Sequence, residues 1–254
     1  MNVRTKTFTM VTKISNSHRF QLGIIGGLGP LISASFVDAL YRYQSDFVKQ
    51  EQDYLRIFSI SDPSVPDRTQ CLLNGREDIL LYWLIKYFKQ LLDFKCDEIL
   101  VLCFTMHALF NKLPSEYQYR IRNLVTITLS KVIELQQPVL LLCTTASNKF
   151  KVFEENSLWS RASQFIIKPE EKDQIKIQHM VYQLKFLKNV DEICKNISNL
   201  VCKNQVVGWI AGCTEFSLLY ETFRDKYPKL VVVDSIPLLI KYYTNKYVLG
   251  DLML

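Results

Sequence analysis

The chain has 254 residues, of which 48% are hydrophobic and 22% are charged, a composition typical of a folded globular protein rather than a disordered or fibrous one. The formal net charge of +6 is modest and the basic residues are scattered, so we expect no nucleic-acid partner. No apolar stretch of the sequence reaches the length of a membrane span, so we expect no membrane partner either.

The chain carries seven cysteines. An odd number, dispersed over a chain of this length, does not fit a secreted disulfide framework and favours a reducing, cytoplasmic location. The three histidines lie too far apart for a zinc-binding pattern, so we expect no metal site. Residues 1–19 are basic but lack the apolar core of a signal peptide, and we predict that they form an exposed tail.

The first predicted strand, at residues 22–25, runs into a glycine-rich turn at 26–29 and a helix over about 31–49. Pro30 suits the first helical position, where its missing N–H is harmless. Glycines allow the backbone to approach a ligand, and the helix N-terminus offers unpaired N–H groups to an anion. A dinucleotide-binding motif would need a third glycine where Ile32 stands, so the pattern disfavours a Rossmann site.

A strand over 55–60 leads into a predicted loop at 61–69 that contains Pro63 and Pro66. The two prolines stiffen this loop, so Arg68 would be held in place. A fixed arginine suits a bidentate grip on a carboxylate, although an isolated loop arginine is also a common solvated surface charge. Helical periodicity follows over 78–94.

Two later strands each end at a cysteine. One apolar run stops at Cys103, followed by Thr105 two residues on, and a second stops at Cys213, followed directly by Thr214. Ligands and catalytic groups of open α/β sheets gather beyond the carboxyl ends of the strands. The alternative is that each cysteine packs as a small buried hydrophobe.

The second half of the chain repeats the βα alternation. We predict a helix over 124–135, a strand over 138–143 that ends at the hydroxyl pair Thr144 and Thr145, and a strand with loop over 157–169. The remaining predicted elements are helices over 170–188 and 191–203, the Cys213 strand with its helix, a strand over 229–234 and a closing helix to about 246. This alternation predicts parallel sheets with right-handed crossovers.

Four motifs, taken in this order and at these spacings, resemble the cofactor-independent aspartate/glutamate racemase family. They are Gly26-Gly27-Leu28-Gly29-Pro30, Pro66-Asp67-Arg68-Thr69, Cys103-x-Thr105-x-His107 and Gly212-Cys213-Thr214-Glu215. The resemblance covers about residues 20–245. It implies an α/β protein of two pseudo-symmetric flavodoxin-like domains with parallel sheets, and an active site in the cleft between them.

The resemblance also implies that the last strand and helix return to the first domain. The first domain would then comprise about residues 20–115 plus 225–254, and the second about 116–224. Related enzymes are commonly dimers, so a homodimer is expected by analogy.

The activity that the resemblance implies is interconversion of the L and D forms of an amino acid, with no cofactor. Cys103 and Cys213 would act as the two catalytic bases, one as a thiolate that removes the Cα proton and the other as a thiol that returns one to the opposite face. By analogy, Arg68 grips a substrate carboxylate, and Thr105 and Thr214 flank the reacting carbon.

The carbanion at Cα also needs stabilisation. We expect backbone N–H groups of the glycine turn, around Gly27, and threonine hydroxyls, including Thr145, to serve as donors. A thiol pKa near 7 requires roughly 2 kcal/mol of stabilisation of the thiolate, which the start of a helix could supply at each cysteine. His107 lies four residues after Cys103, where it would either orient the thiol or pack as a structural histidine.

Three positions differ from the family pattern. Phe104 stands where the family usually has an asparagine, Phe186 occupies the register of a frequent lysine with Lys185 one residue earlier, and the segment after Asp234 lacks a frequent histidine. These changes predict a more apolar pocket and a substrate that need not carry a side-chain carboxylate. Alternatives are a relative acting on another carbon acid, as in hydantoin racemases, maleate isomerases or arylmalonate decarboxylases, and a binding protein without turnover.

Overall fold

The computed structural model describes residues 19–250. The exposed tail predicted for residues 1–19 lies outside this range except for Arg19. Within 19–250, no helix is both long and apolar enough to cross a membrane.

The first unit of the fold is a sheet of three parallel strands. These are β1 (Gln21–Gly26), β2 (Arg56–Ser61) and β3 (Glu98–Val101), in the order β2-β1-β3. Every residue of the central strand β1 is buried, as expected for a parallel strand that is covered on both faces.

The second unit is a sheet of four parallel strands. These are β4 (Val139–Cys143), β5 (Ile166–Ile167), β6 (Gly208–Gly212) and β7 (Val231–Val233), in the order β5-β4-β6-β7. Strand β4 is also buried throughout. Both sheets are therefore of the parallel α/β kind that the alternating pattern predicts, and this prediction is confirmed.

The two units have the same topology. In each, the first strand in sequence is central, the second lies on one side and the third on the other. A single bridge from Ile121 to Ile99 occupies the position beside β3 that β7 occupies beside β6. The predicted pseudo-symmetry is thus present at the level of strand order.

The final strand does not return to the first sheet. Strand β7 pairs in register with β6, where Gly208 faces Val231 so closely that a Cβ on the glycine would lie 1.9 Å from the Val231 carbonyl oxygen. The prediction that this strand belongs to the first domain is therefore wrong. The physical reason is that the three valines of β7 complete the open edge of β6, which a glycine without a side chain allows to come close.

The helices cover both faces of the sheets. In chain order they are α1 (Pro30–Gln44), α2 (Arg68–Leu73), α3 (Glu77–Asp93), α4 (Ser115–Gln118), α5 (Leu124–Leu135), α6 (Thr145–Lys149), α7 (Trp159–Ala162), α8 (Glu171–Leu184), α9 (Val190–Lys203), α10 (Tyr220–Lys226) and α11 (Ser235–Tyr247). Short 3-10 helices span Glu51–Asp53, Phe104–Lys112, Ser163–Phe165 and Thr214–Leu219. The helix predicted over 124–135 matches α5, whereas α1 and α8 end earlier than predicted.

The sequence pattern missed helix α2, which lies partly inside the segment predicted as a loop. Asp67 caps this helix, because its side chain accepts a hydrogen bond from the Gln70 backbone N–H at 2.9 Å. An aspartate before a short apolar run is a helix-start signal. The cap fixes Arg68 at the first helical position, facing the carboxyl end of the sheet.

One hydrophobic cluster joins the two units behind their sheets. It contains Phe36 of α1, Leu129 of α5 and Tyr243 of α11, all fully buried. Helix α11 follows β7 of the second sheet but packs against α1 of the first unit. The Tyr243 hydroxyl also donates a hydrogen bond to Glu98 at the start of β3. The units are therefore tied together by their helices, and the carboxyl ends of β3 and β6 face each other.

Candidate active site

Each candidate cysteine lies where a strand gives way to a 3-10 helix. Cys103 follows β3 at the N-cap position of the helix Phe104–Lys112, and Cys213 follows β6 at the N-cap position of the helix Thr214–Leu219. The two side chains are 7% and 5% exposed. The third strand of each pseudo-symmetric unit therefore delivers one thiol to the same end of the molecule.

Both thiols line one cavity between the two units, which we call the cleft. Its lining residues are Asp67, Arg68, Thr69, Cys103, Thr105, Thr144, Val181, Lys185, Cys213 and Glu215. The volume of the cleft is about 10 Å³, roughly the space for one water molecule. The structure thus represents a closed state of the site.

The surroundings of Cys103 are mainly cationic. Burial raises the pKa of the Cys103 thiol, while the positive charges of Arg68 and Lys185 act in the opposite direction. The Glu215 carboxylate raises the pKa as well, by less than Arg68 lowers it. The net pKa of Cys103 lies above its ordinary value.

The surroundings of Cys213 are anionic. Burial raises the pKa of the Cys213 thiol well above its ordinary value, and the Glu215 carboxylate raises it further by charge and by hydrogen bonding. The Cys213 thiol donates to Oε2 of Glu215 at 2.9 Å. The expectation that helix starts lower the thiol pKa toward 7 is wrong for this closed state, because the cost of burying a thiolate exceeds what a helix start supplies.

Arg68 is held by the backbone of its own unit. Its two terminal nitrogens donate to the carbonyl oxygens of Leu28, Val65 and Pro66. Within residues 19–250, the buried Nε has no hydrogen-bond partner, and the side chain is only 9% exposed. A buried guanidinium N–H without an acceptor, on the wall of a cavity, suits an anionic ligand.

An ion pair closes the cleft from the two sides. Nζ of Lys185, just after α8 in the second unit, lies 2.8 Å from Oδ2 of Asp67 in the first unit. The Tyr182 hydroxyl lies 3.3 Å from the other Asp67 oxygen. Burial alone would raise the pKa of Asp67, but the hydrogen bonds from Lys185 and the Gln70 N–H outweigh it, and the pKa is lowered.

Three buried hydroxyls form a second bridge between the units. The hydroxyl oxygens of Thr105 and Thr144 lie 3.0 Å apart, and Ser147 lies within 3.3 Å of Thr105 and 2.8 Å of Thr144. Thr144 also caps α6 by accepting from the Ser147 backbone N–H. Of the predicted hydroxyl pair, Thr144 therefore lines the cleft, while the Thr145 N–H donates to Gln178 at 2.8 Å.

Two other predicted binding residues are used internally. The Thr214 hydroxyl donates to the Leu102 carbonyl oxygen at 3.1 Å, and the Gly27 N–H donates to the Ser33 hydroxyl at 3.0 Å. Gly27 has φ of 75°, a conformation that favours glycine. Neither residue is part of the cleft wall defined above, so their roles in binding stay predictions.

The two phenylalanines that suggested an apolar pocket lie elsewhere. Phe104 is 1% exposed and stacks on Phe153 with ring centroids 5.4 Å apart, and Phe186 is 71% exposed. Lys185, one residue earlier, occupies the cleft instead. The prediction of a more apolar pocket is wrong, because these aromatic rings point into the core and into solvent.

His107 connects two backbone segments. Its Nδ1 lies 3.1 Å from the Cys103 carbonyl oxygen, and its Nε2 accepts from the Leu124 N–H at 3.1 Å. Burial lowers the pKa of His107 to about 3, so the ring is neutral at physiological pH. This arrangement accords with the structural alternative, in which the ring fixes the loop after Cys103 to the start of α5.

Sequence reasoning gave no role to four polar residues of the cleft wall: Asp67, Thr69, Thr144 and Glu215. Three of them stood inside recognised motifs, Asp67 and Thr69 on either side of Arg68 and Glu215 after Thr214, and this proximity was the available signal. Among the residues that the structure describes, no group of three His, Cys, Asp or Glu side chains is arranged to hold a metal ion.

Comparisons with known proteins bear on the family and the fold. A model of the family described as Asp/Glu/Hydantoin racemase matches residues 25–243. The aspartate racemase of Picrophilus torridus superposes with a TM-score of 0.71 at 22% identity, covering 92% of this chain and 100% of that one. An aspartate racemase homologue from Pyrococcus horikoshii gives a TM-score of 0.62 at 17% identity, covering 87% and 96%. The glutamate racemase of Campylobacter jejuni gives 0.58 at 16% identity, covering 89% and 86%. At these identities the structures demonstrate a shared fold.

Proposed function

Because the chain belongs to the Asp/Glu/hydantoin racemase family, we propose that it is a cofactor-independent amino-acid racemase that uses Cys103 and Cys213 as its two bases. The observation that carries the proposal is that two thiols, from equivalent strand ends of two pseudo-symmetric units, line one cleft. Racemisation needs a proton to leave one face of Cα and another to arrive on the opposite face. Two thiols that approach a substrate from different units meet this need.

The reaction proceeds by two linked proton transfers. A thiolate on one side removes the Cα proton, and the electron pair of the broken C–H bond spreads into the substrate carboxylate. The thiol on the other side then donates its proton to the opposite face of Cα. Arg68, with its unpaired Nε, and the hydroxyl of Thr105 are the preorganised donors that can stabilise the developing charge.

The two cations of the cleft suit an amino acid with a second carboxylate, such as aspartate or glutamate, once Lys185 is released from Asp67. Arg68 and Lys185 provide one cation from each unit, and Thr105 and Thr144 add hydroxyls. The alternative of a non-catalytic protein with an apolar pocket depended on Phe104 and Phe186, and neither contributes to the cleft. No observation now favours it.

Binding requires the two units to separate at the cleft, because an amino acid is far larger than one water molecule. The contacts that must give way are the ion pair between Asp67 and Lys185 and the hydroxyl contact between Thr105 and Thr144. A substrate carboxylate can replace Asp67 as the partner of Lys185. The energy of opening is then partly returned by binding.

The test is hydrogen exchange at Cα in D₂O. The wild-type protein is incubated with each enantiomer of aspartate, glutamate and alanine, and deuterium incorporation and inversion are followed by NMR and chiral chromatography. We expect exchange with inversion for an acidic amino acid, and a loss of about 10²-fold to 10⁴-fold in both Cys103→Ser and Cys213→Ser. Cys202→Ser, which alters an exposed cysteine, is the matched control and should retain full activity.

Two outcomes would contradict the proposal. Absence of deuterium in every amino acid offered to the wild-type protein would remove the racemase assignment. Inversion at the wild-type rate in either Cys103→Ser or Cys213→Ser would contradict the two-thiol mechanism and leave the family assignment intact.

A further inference from the structure

Glu215 is a buried carboxylate whose position the proton transfers described above do not explain. It is 4% exposed and lies on the wall of the cleft, two residues after Cys213. Its Oε2 accepts a hydrogen bond from the Cys213 thiol at 2.9 Å and lies 3.4 Å from the Thr214 hydroxyl. Burying a carboxylate is costly, and the cleft group that this one contacts is the Cys213 thiol.

The first unit is shaped to receive this carboxylate. A Cβ built on Gly29 would lie only 2.8 Å from Oε1 of Glu215. Gly29 has φ of −160°, extended backbone that any residue adopts, so its backbone conformation does not require glycine. A side chain here would displace the end of the Glu215 side chain, so the glycine leaves open the space that the carboxylate occupies. The second unit thus places the carboxylate beside its thiol, and the glycine turn of the first unit makes room for it.

The result is an unequal pair of thiols. The ionisable groups around the cleft are Asp67, Arg68, Cys103, Lys185, Cys213 and Glu215. Burial and the Glu215 charge raise the pKa of Cys103, and the two cations oppose this rise. At Cys213 burial is reinforced by the Glu215 charge and by its hydrogen bond to the thiol. Ionising Cys213 would place a second negative charge within hydrogen-bonding distance of the Glu215 carboxylate.

We propose that Glu215 is a positioning residue that keeps Cys213 as the thiol in the substrate-free protein, so that the first thiolate forms on Cys103. For catalysis this rests on the proposed racemase function. In the first turnover the Cα–H bond breaks and an S–H bond forms at Cys103. The S–H bond of Cys213 then breaks and a new C–H bond forms on the opposite face of Cα.

Each turnover leaves the proton distribution inverted, with a thiolate on Cys213 and a thiol on Cys103. Repulsion from Glu215 drives Cys213 to regain a proton from water, and Cys103 returns one to water. No net proton is gained or lost. The same inverted form is the one that begins the reverse reaction, so the two directions start from enzyme forms of unequal population.

The inference is tested on the substrate-free protein by site-resolved alkylation. Initial rates of iodoacetamide modification at Cys103 and Cys213 are measured by mass spectrometry over pH 6 to 10, with the exposed Cys202 as internal reference. We expect Cys103 to react about tenfold faster than Cys213 or more near pH 8, because the thiolate is the reactive form. A Cys103→Ser background repeats the Cys213 measurement without modification of its neighbour.

Glu215→Gln keeps the shape and a hydrogen-bond acceptor but removes the charge. In this variant we expect the Cys213 rate to rise about tenfold, with its pH profile displaced to lower pH, and the Cys103 rate to change less. Gly29→Ala, which displaces the carboxylate by steric contact, should also raise the Cys213 alkylation rate and shift its pH profile to lower pH. This variant replaces Glu215→Gln if Glu215→Gln does not fold.

Comparing the Cys213 rate in each variant with the Cys213 rate in the wild-type protein cancels the difference in steric access between the two cysteines. An unchanged Cys213 rate and pH profile in both variants would overturn the inference, and so would faster wild-type alkylation of Cys213 than of Cys103. Because no substrate is used, these results are independent of the isotope-exchange test. An inactive wild-type protein with the expected alkylation pattern would refute the racemase proposal and leave the unequal thiols established.

Discussion

The two α/β units place a cysteine at the same point of the same topology but surround it with opposite charges. In the first unit the thiol of Cys103 faces the guanidinium of Arg68, and in the second the thiol of Cys213 donates to the carboxylate of Glu215. Strand order determines where the two sulfur atoms lie. The side chains that follow each strand determine how easily each sulfur loses its proton, so a symmetric fold can hold a chemically asymmetric site.

The turns after the two central strands show the same divergence. After β1 the first unit has the turn of Gly27, whereas after β4 the second unit has Thr144, which caps α6. One turn depends on the absence of a side chain and the other on the presence of a hydroxyl. The variants below separate these contributions.

The largest expected effect is on stability, at the glycine turn of the first unit. In Gly27→Ala, the Cβ would lie 2.2 Å from the Asp62 backbone nitrogen at a φ of 75°. Asp62 cannot easily move, because it accepts hydrogen bonds from Ser64 and Tyr87. We expect a loss of about 3 kcal/mol or more in the free energy of unfolding, measured with urea.

Gly75→Ala is the matched control for this variant. Gly75 has a similar φ of 69°, but nothing lies within 4 Å of the added Cβ. The loss in the free energy of unfolding should come only from placing alanine at a positive φ, about 1 kcal/mol. Equal losses in the two variants would show that the contact with Asp62 is not what the turn requires.

The next effect concerns the cation that each unit contributes to the cleft. Arg68→Lys keeps the charge but loses the fork that binds three carbonyl oxygens and the free Nε. We expect kcat/KM for the acidic substrate to fall about 100-fold, which equals roughly 3 kcal/mol. Lys185→Met in the second unit should cost less, because Lys185 is already neutralised by Asp67.

Arg42→Lys controls for the arginine exchange, since Arg42 forms an exposed pair with Asp38 far from the cleft. It should retain wild-type kinetics. A loss in Lys185→Met as large as that in Arg68→Lys would mean that the two units contribute equally to binding.

The positions of the thiols could be predicted from the sequence, because each rests on local signals. An apolar run that ends at Cys103 or Cys213 marks the end of a buried strand, and the βα alternation brings such ends together. Helix α5 was also predictable, because its bounds could be read from local periodicity.

What the sequence could not give depends on contacts between distant segments. Three consecutive valines fit the edge of either sheet, and only the space at Gly208 shows which one accepts them. Phe104 lies beside a cleft residue in sequence, but its direction is set by the 3-10 helix that begins there and by stacking on Phe153. Likewise, nothing local indicates that Lys185 pairs with Asp67.

The hydroxyl cap of the second unit allows a smaller and sharper test. Thr144→Val removes the cap of α6 and the contact with Thr105 while keeping a β-branched side chain. We expect a loss of about 1 to 2 kcal/mol in the free energy of unfolding, measured with urea. Thr145→Val, at the neighbouring position outside the cleft wall, should change stability and kcat/KM little. If Thr145→Val lowers kcat/KM more than Thr144→Val, the original prediction of Thr145 as the binding residue is favoured.

The smallest effect should come from the ion pair that closes the cleft. Asp67→Asn removes the charge that pairs with Lys185 but keeps the cap of α2, because asparagine caps a helix about as well as aspartate. The pair is partly exposed, with side-chain accessibilities of 20% and 28%, and such a pair contributes about 1 kcal/mol or less. The ratio of closed to open protein should therefore fall by a factor of about two to five.

This change distinguishes opening of the cleft from tuning of a single thiol. Opening exposes both sulfur atoms, so iodoacetamide should modify Cys103 and Cys213 faster by the same factor in Asp67→Asn, and Asp38→Asn on the outer face of α1 should change neither rate. Glu215→Gln, in contrast, should accelerate Cys213 far more than Cys103. If Asp67→Asn also acts on one thiol alone, the ion pair works through local charge, and closure of the two units must depend on the hydroxyl bridge between Thr105 and Thr144.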